Sequence, residues 1–256
     1  MTALLTIENL NLEIGGRTLI KNLAVEVGAG EVWCLLGPNG SGKTTLFHTV
    51  MGLREAQSGS IVLSGRVLTA WAPRELAKLR GFLPQIIHDA FGASVEECVM
   101  MGRHPHLNRW QWEGEHERDI AFAALSAVDL AGFANRDVLS LSGGERQRVA
   151  LATLLAQETP LLLLDEPLAH LDLHHQIMVL SHLAGLARER NTGLLYSVHD
   201  LNLAVRFSTH AMVLGPQGAV SLGPVAEVMR EDILSRAFGH RVTRIEHAGK
   251  TLFIPE

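Results

Sequence analysis

Apolar residues along the chain repeat with two different periods, and these periods predict its secondary structure. Residues 4–14 and 19–27 alternate apolar with polar side chains, and residues 59–65 form a short apolar run between glycines. Glycines close these runs, so they predict a small antiparallel β layer. Apolar runs are typical of central strands in a parallel sheet. Residues 161–164 are fully apolar, and the runs at residues 32–36, 194–198 and 211–214 are also predicted as buried strands.

Helical spacing, with apolar residues at i, i+3 and i+4, occupies most of the segments between these runs. It predicts helices at residues 45–51, 74–79, 95–101, 115–128, 142–156, 173–190 and 224–239. The strand through Phe82 and Leu83 should stop at Pro84, and residues 241–253 are predicted as a short β ending. Strands that alternate with helices predict an α/β fold around a parallel sheet.

Composition adds limits on the class of protein. The 256 residues are 47% hydrophobic and 19% charged, which is typical of a soluble globular protein. A net charge of −5 gives no reason to expect nucleic-acid binding. Cys34 lies in an apolar run, and two cysteines predict neither a disulfide framework nor a thiolate metal site. Residues 1–8 lack signal-peptide features and no apolar run could span a bilayer, so we expect a cytoplasmic enzyme.

One stretch, residues 37–44, matches the phosphate-loop pattern G-x-x-x-x-G-K-[ST] at every fixed position. A predicted strand precedes it and a predicted helix follows, which is the context the pattern requires. Its glycines let backbone N–H groups approach phosphate oxygens, while Lys43 would reach the β- and γ-phosphates and Thr44 would bind Mg²⁺. The nucleotide-binding residues predicted here are Gly37, Pro38, Asn39, Gly40, Ser41, Gly42, Lys43, Thr44 and Thr45.

Two carboxylates, Asp165 and Glu166, follow directly after an apolar run, at the end of a strand where α/β sheets bind ligands. Mg²⁺ prefers oxygen ligands and keeps part of its water shell, so we assign Asp165 to the metal. We assign Glu166 to the attacking water, which a second carboxylate can orient and polarise. The alternative is an acidic turn that only caps a strand.

A second candidate anion site lies at residues 141–145, Leu-Ser-Gly-Gly-Glu. Ser142 and Glu145 form a capping box, so locally this is a helix start. Gly143 and Gly144 would also expose backbone N–H groups to an anion. The phosphate loop of the same chain does not need this second site.

Over essentially its whole length, the sequence resembles a known family, the ATP-binding-cassette (ABC) ATPases. Six motifs occur in the order typical of that family, and together they are highly specific. They are the Walker A loop at residues 37–44, the Q-loop glutamine Gln85, the signature motif at 141–145, Walker B at 161–166, the D-loop at 168–172 and the switch histidine His199. The fold that the resemblance implies is a P-loop NTPase core with an antiparallel β subdomain and a helical subdomain. We expect one domain over residues 1–256, with the β layer and core at 1–85 and 159–256 and the helical subdomain at 86–158.

The resemblance implies roles that spacing cannot show. Members of the family dimerise head-to-tail, so the signature motif of one copy closes on the γ-phosphate held by the other copy. Gln85 would sense the Mg²⁺–γ-phosphate, and His199 would hydrogen-bond the γ-phosphate and hold the water-activating geometry. The cofactors implied are ATP and Mg²⁺. The residues implied are Glu166, His199 and Gln85 in catalysis, Thr44, Gln85 and Asp165 at the metal, and Ser142, Gly143, Gly144, Glu145 and Asp172 at the nucleotide.

One position departs from the family pattern. The family usually has an aromatic residue that stacks on adenine before the glycine turn of the first hairpin, and here Ile14 occupies that position. Apolar packing by Ile14 lacks the stacking energy of an aromatic ring. We therefore include Ile14 among the nucleotide-binding residues and predict only modest discrimination between ATP and GTP.

The stretch Gly-Arg-His-Pro-His at residues 102–106 resembles ATPases of importers for iron–siderophore complexes, haem and vitamin B12. Residues 171–176 and 199–204 also resemble that subgroup. The histidines at 104, 106, 174 and 175 suggest a metal site, but no carboxylate or cysteine completes a set at ligand spacing. We expect them to pack or to face a partner. In the family, residues 91–103 contact the membrane partner, which implies an exposed apolar patch there.

We therefore expect the ATP-hydrolysing subunit of a bacterial ABC importer for an iron–siderophore complex, haem or cobalamin. It would be peripheral at the cytoplasmic face of the inner membrane. Its partners would be a second copy of itself, transmembrane permease subunits and, indirectly, a solute-binding protein, with no nucleic acid. One alternative is an importer of another substrate, such as a metal ion. A soluble ABC ATPase acting on DNA or ribosomes is another, and a phosphate-loop kinase is a third that leaves residues 141–145 and His199 without a role.

Overall fold

The computed structural model describes residues 3–87, 92–107 and 114–256. The strands are β1 (Ala3–Ile14), β2 (Arg17–Gly28), β3 (Val32–Leu36), β4 (Ser58–Leu63), β5 (Arg66–Val67), β6 (Arg80–Leu83), β7 (Leu161–Leu164), β8 (Gly193–Ser197), β9 (His210–Leu214), β10 (Val220–Pro224), β11 (Val242–His247) and β12 (Lys250–Pro255). The α-helices are α1 (Lys43–Val50), α2 (Pro73–Leu79), α3 (Val95–Met100), α4 (Glu115–Ala127), α5 (Gly143–Ala156), α6 (Leu173–Arg190), α7 (Leu201–Phe207), α8 (Val225–Val228) and α9 (Glu231–Phe238).

A six-stranded sheet forms the centre, in the order β10-β9-β3-β8-β7-β6. The pairs from β9 through β6 are parallel, and β10 adds an antiparallel edge. The four mainly apolar runs of the sequence form strands β3, β7, β8 and β9, so the prediction of central parallel strands is confirmed. Strand β6 ends at Leu83, directly before Pro84, as predicted.

A separate antiparallel sheet, in the order β2-β1-β4-β5, is the β layer that the alternating runs predicted. Its first two strands turn at Gly15 and Gly16, whose φ angles of 58° and 78° suit glycine. This turn places Ile14 directly opposite Arg17 in the hairpin.

The side chains of the central strands pack into two hydrophobic clusters, one on each face. Cys34 and Leu164 join the cluster that contains the helices α3 to α6, whereas Leu35 and Leu163 join the cluster shared with the β layer. This alternation follows from the two-residue period of a strand that is buried on both faces. Burial also raises the pKa of the Cys34 thiol to about 12, as expected of an unreactive core residue.

Helices α3, α4 and α5 lie between β6 and β7, where the sequence predicted a helix-rich segment. A turn at residues 101–103 directly follows α3 and lies against α5. A Cβ at Gly102 would overlap the Thr153 carbonyl oxygen, so this turn packs directly against the α5 backbone. The buried Arg103 donates to the Ala156 carbonyl (2.6 Å) and pairs with Glu158 (3.0 Å). The Gly-Arg-His-Pro-His stretch therefore fastens the α3 segment to the end of α5.

The predicted apolar patch at residues 91–103 is narrower than expected. Val95, Val99 and Met100 are buried in the core, and Met101 is the exposed large apolar residue in the described part of this segment, at 54%. Ile86, just before it, is 65% exposed. Phe91 lies outside the described residues.

Two predictions for the last third of the chain need correction. The single helix expected at 224–239 is two helices, because Arg230 adopts an extended conformation that separates α8 from α9. Strand β10 was missed, since Gly223 and Pro224 within it are typical of turns, although an edge strand tolerates them. The β ending is confirmed as the β11–β12 hairpin. None of the helices in the described ranges has the length and apolar character needed to cross a bilayer.

Candidate functional site

Four neighbouring strands, β3, β8, β7 and β6, run parallel and bring their carboxyl ends to one edge of the sheet. The chain continues from β3 into residues 37–44, from β7 into Asp165 and Glu166, from β8 towards His199, and from β6 towards Gln85. Residues that are more than 100 positions apart in sequence are therefore neighbours because of strand order alone.

The loop at residues 37–44 has the geometry of an anion cradle. Gly37 and Gly42 have φ angles of 153° and 106°, and a Cβ on Gly42 would lie 3.0 Å from the Leu19 Cβ. The Ser41 hydroxyl is buried and has no hydrogen-bond partner among the described residues. A buried donor without a partner is costly unless a ligand satisfies it. The loop therefore fits a phosphate group.

Lys43 begins α1 and is held in place by the loop itself. Its Nζ donates to the carbonyl oxygens of Gly37 (2.8 Å) and Pro38 (3.2 Å). Burial lowers the pKa of Lys43, and the nearby charges of Glu166 and Asp165 oppose that shift. An incompletely solvated ammonium group is thus positioned where a polyphosphate would stabilise its charge.

Thr44 and Asp165 meet across the cleft floor, where the Thr44 hydroxyl donates to Asp165 Oδ2 at 2.6 Å. Asp165 is completely buried, and its other oxygen accepts from the Ser197 hydroxyl at 2.7 Å. The Glu166 N–H donates to the same Ser197 oxygen at 2.7 Å. The Ser197 hydroxyl therefore holds both acidic residues in place: it contacts the side chain of Asp165 and the backbone N–H of Glu166.

Glu166 has a φ of 51°, an uncommon backbone conformation for a residue with a side chain. This conformation, stabilised by Ser197, turns the carboxylate towards His199, and Glu166 Oε1 lies 2.9 Å from His199 Nε2. Half of the His199 side chain is exposed, whereas Glu166 is mostly covered. The predicted catalytic pair is therefore in direct contact.

These groups line one cleft of about 510 Å³, a size typical of small-molecule sites. The cleft brings together ten of the residues predicted from the sequence: Ile14, Asn39, Gly40, Gly42, Lys43, Thr44, Thr45, Gln85, Glu166 and His199. Asp165 lies behind Thr44, below the cleft surface. Gly37, Pro38 and Ser41 support the loop from outside the cleft lining.

The second predicted anion site does not line this cleft. Ser142 caps α5, accepting from the Glu145 N–H (3.3 Å) while its own N–H donates to Glu145 (2.7 Å). The pKa of the Glu145 carboxyl is lowered, chiefly by a hydrogen bond from the Ser142 side chain and next by the one from the Ser142 backbone N–H. A Cβ on Gly144 would lie 2.8 Å from the His170 carbonyl oxygen, but a Cβ on Gly143 would have no neighbour closer than 3.9 Å. Gly144 thus permits close packing, while Gly143 leaves the helix N-terminus open.

Asp172 also lies outside the cleft and caps α6. Its Oδ1 accepts from the backbone N–H of His175 (2.9 Å) and lies 2.8 Å from that imidazole. The hydrogen bond from the His175 backbone is the main reason that the pKa of Asp172 is lowered. Asp172 and the neighbouring Leu173 are exposed.

Three residues of the site escaped the sequence analysis. Ser197 ends an apolar strand and belongs to no recognisable motif, and Arg17 and Leu19 lie beyond the hairpin turn. Arg17 could have been predicted only from its place opposite Ile14 across the two-residue turn of the hairpin.

The donor set fits Mg²⁺ with a nucleotide. A threonine hydroxyl and a buried carboxylate offer hard oxygen ligands beside a phosphate cradle, and Mg²⁺ is usually held by one or two such ligands together with phosphates and waters. Across the described residues, no group of three or more His, Cys, Asp and Glu side chains could hold a metal ion on its own. His106 instead contacts the Gln157 carbonyl (2.8 Å).

A parallel sheet, a phosphate loop between strand and helix, and paired carboxylates on the neighbouring strand define a P-loop NTPase. The ABC transporter family model matches residues 20–169. The chain is 43% identical to the hemin import ATP-binding protein of Myxococcus xanthus, over 94% of this chain and 92% of that protein. It is 36% identical to the ferric enterobactin transport ATP-binding protein of Escherichia coli, over 97% and 92% of the two chains.

Two solved structures agree with these sequence matches. A structure described as an inward-facing ABC transporter of metal-chelate type matches with a TM-score of 0.86 and 28% identity, over 99% of this chain and 98% of that chain. A dimeric bacterial ABC transporter cassette matches with a TM-score of 0.75 and 26% identity, over 86% and 98%. The chain belongs to the ABC transporter family, and it is an ATP-hydrolysing cassette of that family.

Proposed function

We propose that this cassette is the ATPase subunit of a bacterial importer for an iron chelate, haem or cobalamin. The contact of Glu166 with His199, beside the Thr44–Asp165 pair, is the observation that supports the ATPase site most directly. The whole chain, residues 1–256, would act as one domain, with its helical part at about 86–158.

The phosphate groups of ATP would be held by the backbone N–H groups of residues 37–45 and by Lys43. Thr44, Asp165 and Gln85 would hold Mg²⁺, which supplies positive charge that stabilises the phosphate oxygens. Ser197 supports this role, since its hydroxyl keeps the Asp165 carboxylate in one orientation. Gln85 is exposed at the cleft, where it can respond to the bound nucleotide.

Glu166 would orient the attacking water and accept its proton. His199 contacts the Glu166 carboxylate directly, so it would hold that side chain in position while facing the γ-phosphate. The positive φ of Glu166 is a strained backbone conformation that the hydrogen bond to Ser197 holds in place, and such strain is often found at catalytic residues.

The site would be completed by a second copy of the chain. Residues 142–145 and Asp172 lie outside their own cleft, and Ser142, Gly143 and Asp172 are exposed. An open helix N-terminus at Gly143 favours an anion, which the γ-phosphate on the partner copy would supply. This arrangement gives a role to the anion site that the chain's own phosphate loop does not need.

The importer assignment rests on the relatives, whose names specify hemin, iron(3+)-hydroxamate or ferric enterobactin import. We propose transmembrane permease subunits as direct partners and a solute-binding protein as an indirect one. The chain would lie at the cytoplasmic face of the inner membrane, and the exposed Ile86 and Met101 would contribute to the permease contact.

The test is ATPase activity of the complex reconstituted with its co-purifying permease. We expect stimulation by solute-binding proteins loaded with a ferric siderophore, haem or cobalamin. A matched set of sugar- and amino-acid-binding proteins serves as the control. Stimulation by one of these controls alone, or failure to co-purify with any multi-spanning membrane protein, would contradict the importer assignment.

A further inference from the structure

The wall of the nucleotide cleft that faces away from the catalytic strands carries a cation, Arg17. Ile14, Arg17 and Leu19 form this wall, and all three come from the β1–β2 hairpin rather than from the central sheet. The Arg17 side chain is exposed, and within the described ranges it has no hydrogen bond, ion pair or ring contact. Its guanidinium group is therefore free to bind a ligand.

The position of the wall indicates which part of the nucleotide it meets. The polyphosphate is anchored at the phosphate loop, and its terminal end faces Glu166 and His199. The base and ribose are the remaining parts of the ligand, and the hairpin is the remaining wall of the cleft. This step rests on the proposed role of the cleft in binding ATP.

The chemistry of the wall differs from an aromatic base platform. Ile14 is 45% exposed and offers apolar contact, but it has no π-face. A guanidinium group is planar, stacks on aromatic rings and carries only hydrogen-bond donors. Stacking of this kind tolerates different bases, because every base has a π-face.

Hydrogen bonding to a donor-only group does not favour adenine either. Guanine presents two neighbouring acceptors, O6 and N7, whereas adenine presents N7 beside an amino donor. A guanidinium fork can therefore pair with guanine at two atoms and with adenine at one.

We propose that Arg17 is a base-contacting residue, which stacks on the purine above Ile14 and lets the site accept GTP as well as ATP. Arg17 thereby supplies the stacking contact with the base in place of an aromatic ring, without favouring one purine. Its substitution should change the contribution of the base to binding and leave the contribution of the phosphates unchanged.

The test compares dissociation constants of ATP, GTP and inorganic tripolyphosphate, with Mg²⁺, for the full-length protein. For the unmodified chain we expect ATP and GTP to bind within about threefold of each other, since guanidinium stacking tolerates different bases. Arg17→Ala should weaken both nucleotides about tenfold, as the loss of one stacking contact predicts. Tripolyphosphate, which has no base, should bind Arg17→Ala unchanged.

Arg17→Lys is the matched control, because it keeps the charge and removes the planar fork. We expect it to behave like Arg17→Ala. If Arg17→Lys binds like the unmodified protein, or if Arg17→Ala weakens tripolyphosphate equally, Arg17 contacts phosphate and the proposal is wrong. A large preference of the unmodified protein for ATP over GTP would also overturn it. If the proposal for Arg17 is wrong, the protein should still hydrolyse ATP. If the protein binds none of the three ligands, the proposed function itself is contradicted.

Discussion

His199 Nε2 and Glu166 Oε1 lie 2.9 Å apart at the ends of two adjacent parallel strands. The contact depends on two independent features: the strand order, which makes β7 and β8 neighbours, and the positive φ of Glu166, which directs its side chain. A carboxylate placed in this way can accept a proton from a water molecule without further rearrangement of the backbone.

Glu166→Gln should therefore abolish most turnover while leaving nucleotide binding intact. The amide keeps the shape of the side chain but cannot accept the proton, so we expect kcat to fall about 10²- to 10⁴-fold. Steady-state phosphate release and ATP dissociation constants measure the two effects separately. Glu55→Gln, at an exposed glutamate after α1, is the control and should leave both unchanged.

Ser197→Ala should destabilise the protein and weaken its response to Mg²⁺. The substitution removes a hydroxyl that serves both Asp165 and the Glu166 N–H, and leaves a fully buried carboxylate with fewer hydrogen bonds. We expect a loss of about 1–3 kcal/mol in the free energy of unfolding, measured in urea. Ser197→Thr keeps the hydroxyl and should recover most of the Mg²⁺ response. Equal stability of the alanine variant and the unmodified protein would show that Ser197 does not hold these groups.

The lowered pKa of Lys43 predicts a pH dependence of stability for the nucleotide-free protein. The folded state binds the Lys43 proton less tightly than the unfolded state, so stability should rise with pH between the lowered pKa and the ordinary value of 10.5. Below that range the folded state carries the full cost of burying the charged Lys43 ammonium group, and above it this cost is absent. Lys43→Met should lack this rise, and the difference between the two urea-unfolding profiles isolates it from other titrating groups. Parallel profiles would contradict the prediction.

Gly102→Ala should be destabilising, although alanine is usually the better helix former. Its Cβ would overlap the Thr153 carbonyl oxygen, which forces the turn at residues 101–103 away from α5. Overpacking of this kind costs about 1–3 kcal/mol, which urea unfolding can measure. Gly132→Ala is the matched control, because a Cβ there has no neighbour within 4 Å. If the two variants are equally stable, the turn is not packed tightly against α5.

Much of the fold could be predicted because β3, β7, β8 and β9 are almost entirely apolar, whereas β1 and β2 largely alternate apolar with polar residues. The first pattern belongs to the central sheet and the second to the antiparallel β layer. Strand β10 could not be predicted, since Gly223 and Pro224 resemble a turn and only the neighbouring β9 supplies its hydrogen-bond partners. The break between α8 and α9 at Arg230 could not be predicted either, because no glycine or proline lies at that position.

The site was predictable wherever it lies in contiguous motifs, such as residues 37–44. Ser197 and Arg17 were not, because each acts through neighbours that are distant in sequence or through a ligand. The separate roles of Gly143 and Gly144 also depend on the position of His170, which only the folded chain defines.

We propose above that the catalytic site is complete only between two copies of the chain. Gly143→Asp tests it most directly, because the new side chain has room and an acidic residue in the first turn of a helix is normally favourable. Gly143→Ala is the control. In the Glu166→Gln background, sedimentation with Mg²⁺ and ATP should show dimers for the parent and for Gly143→Ala. Gly143→Asp should still bind ATP at its own phosphate loop, as tightly as the Glu166→Gln parent does before it dimerises. It should fail to dimerise, since the new carboxylate repels the γ-phosphate on the partner copy. If Gly143→Asp forms the ATP-dependent dimer, and hydrolyses ATP normally once Glu166 is restored, the site does not require residues 142–145 of a second copy.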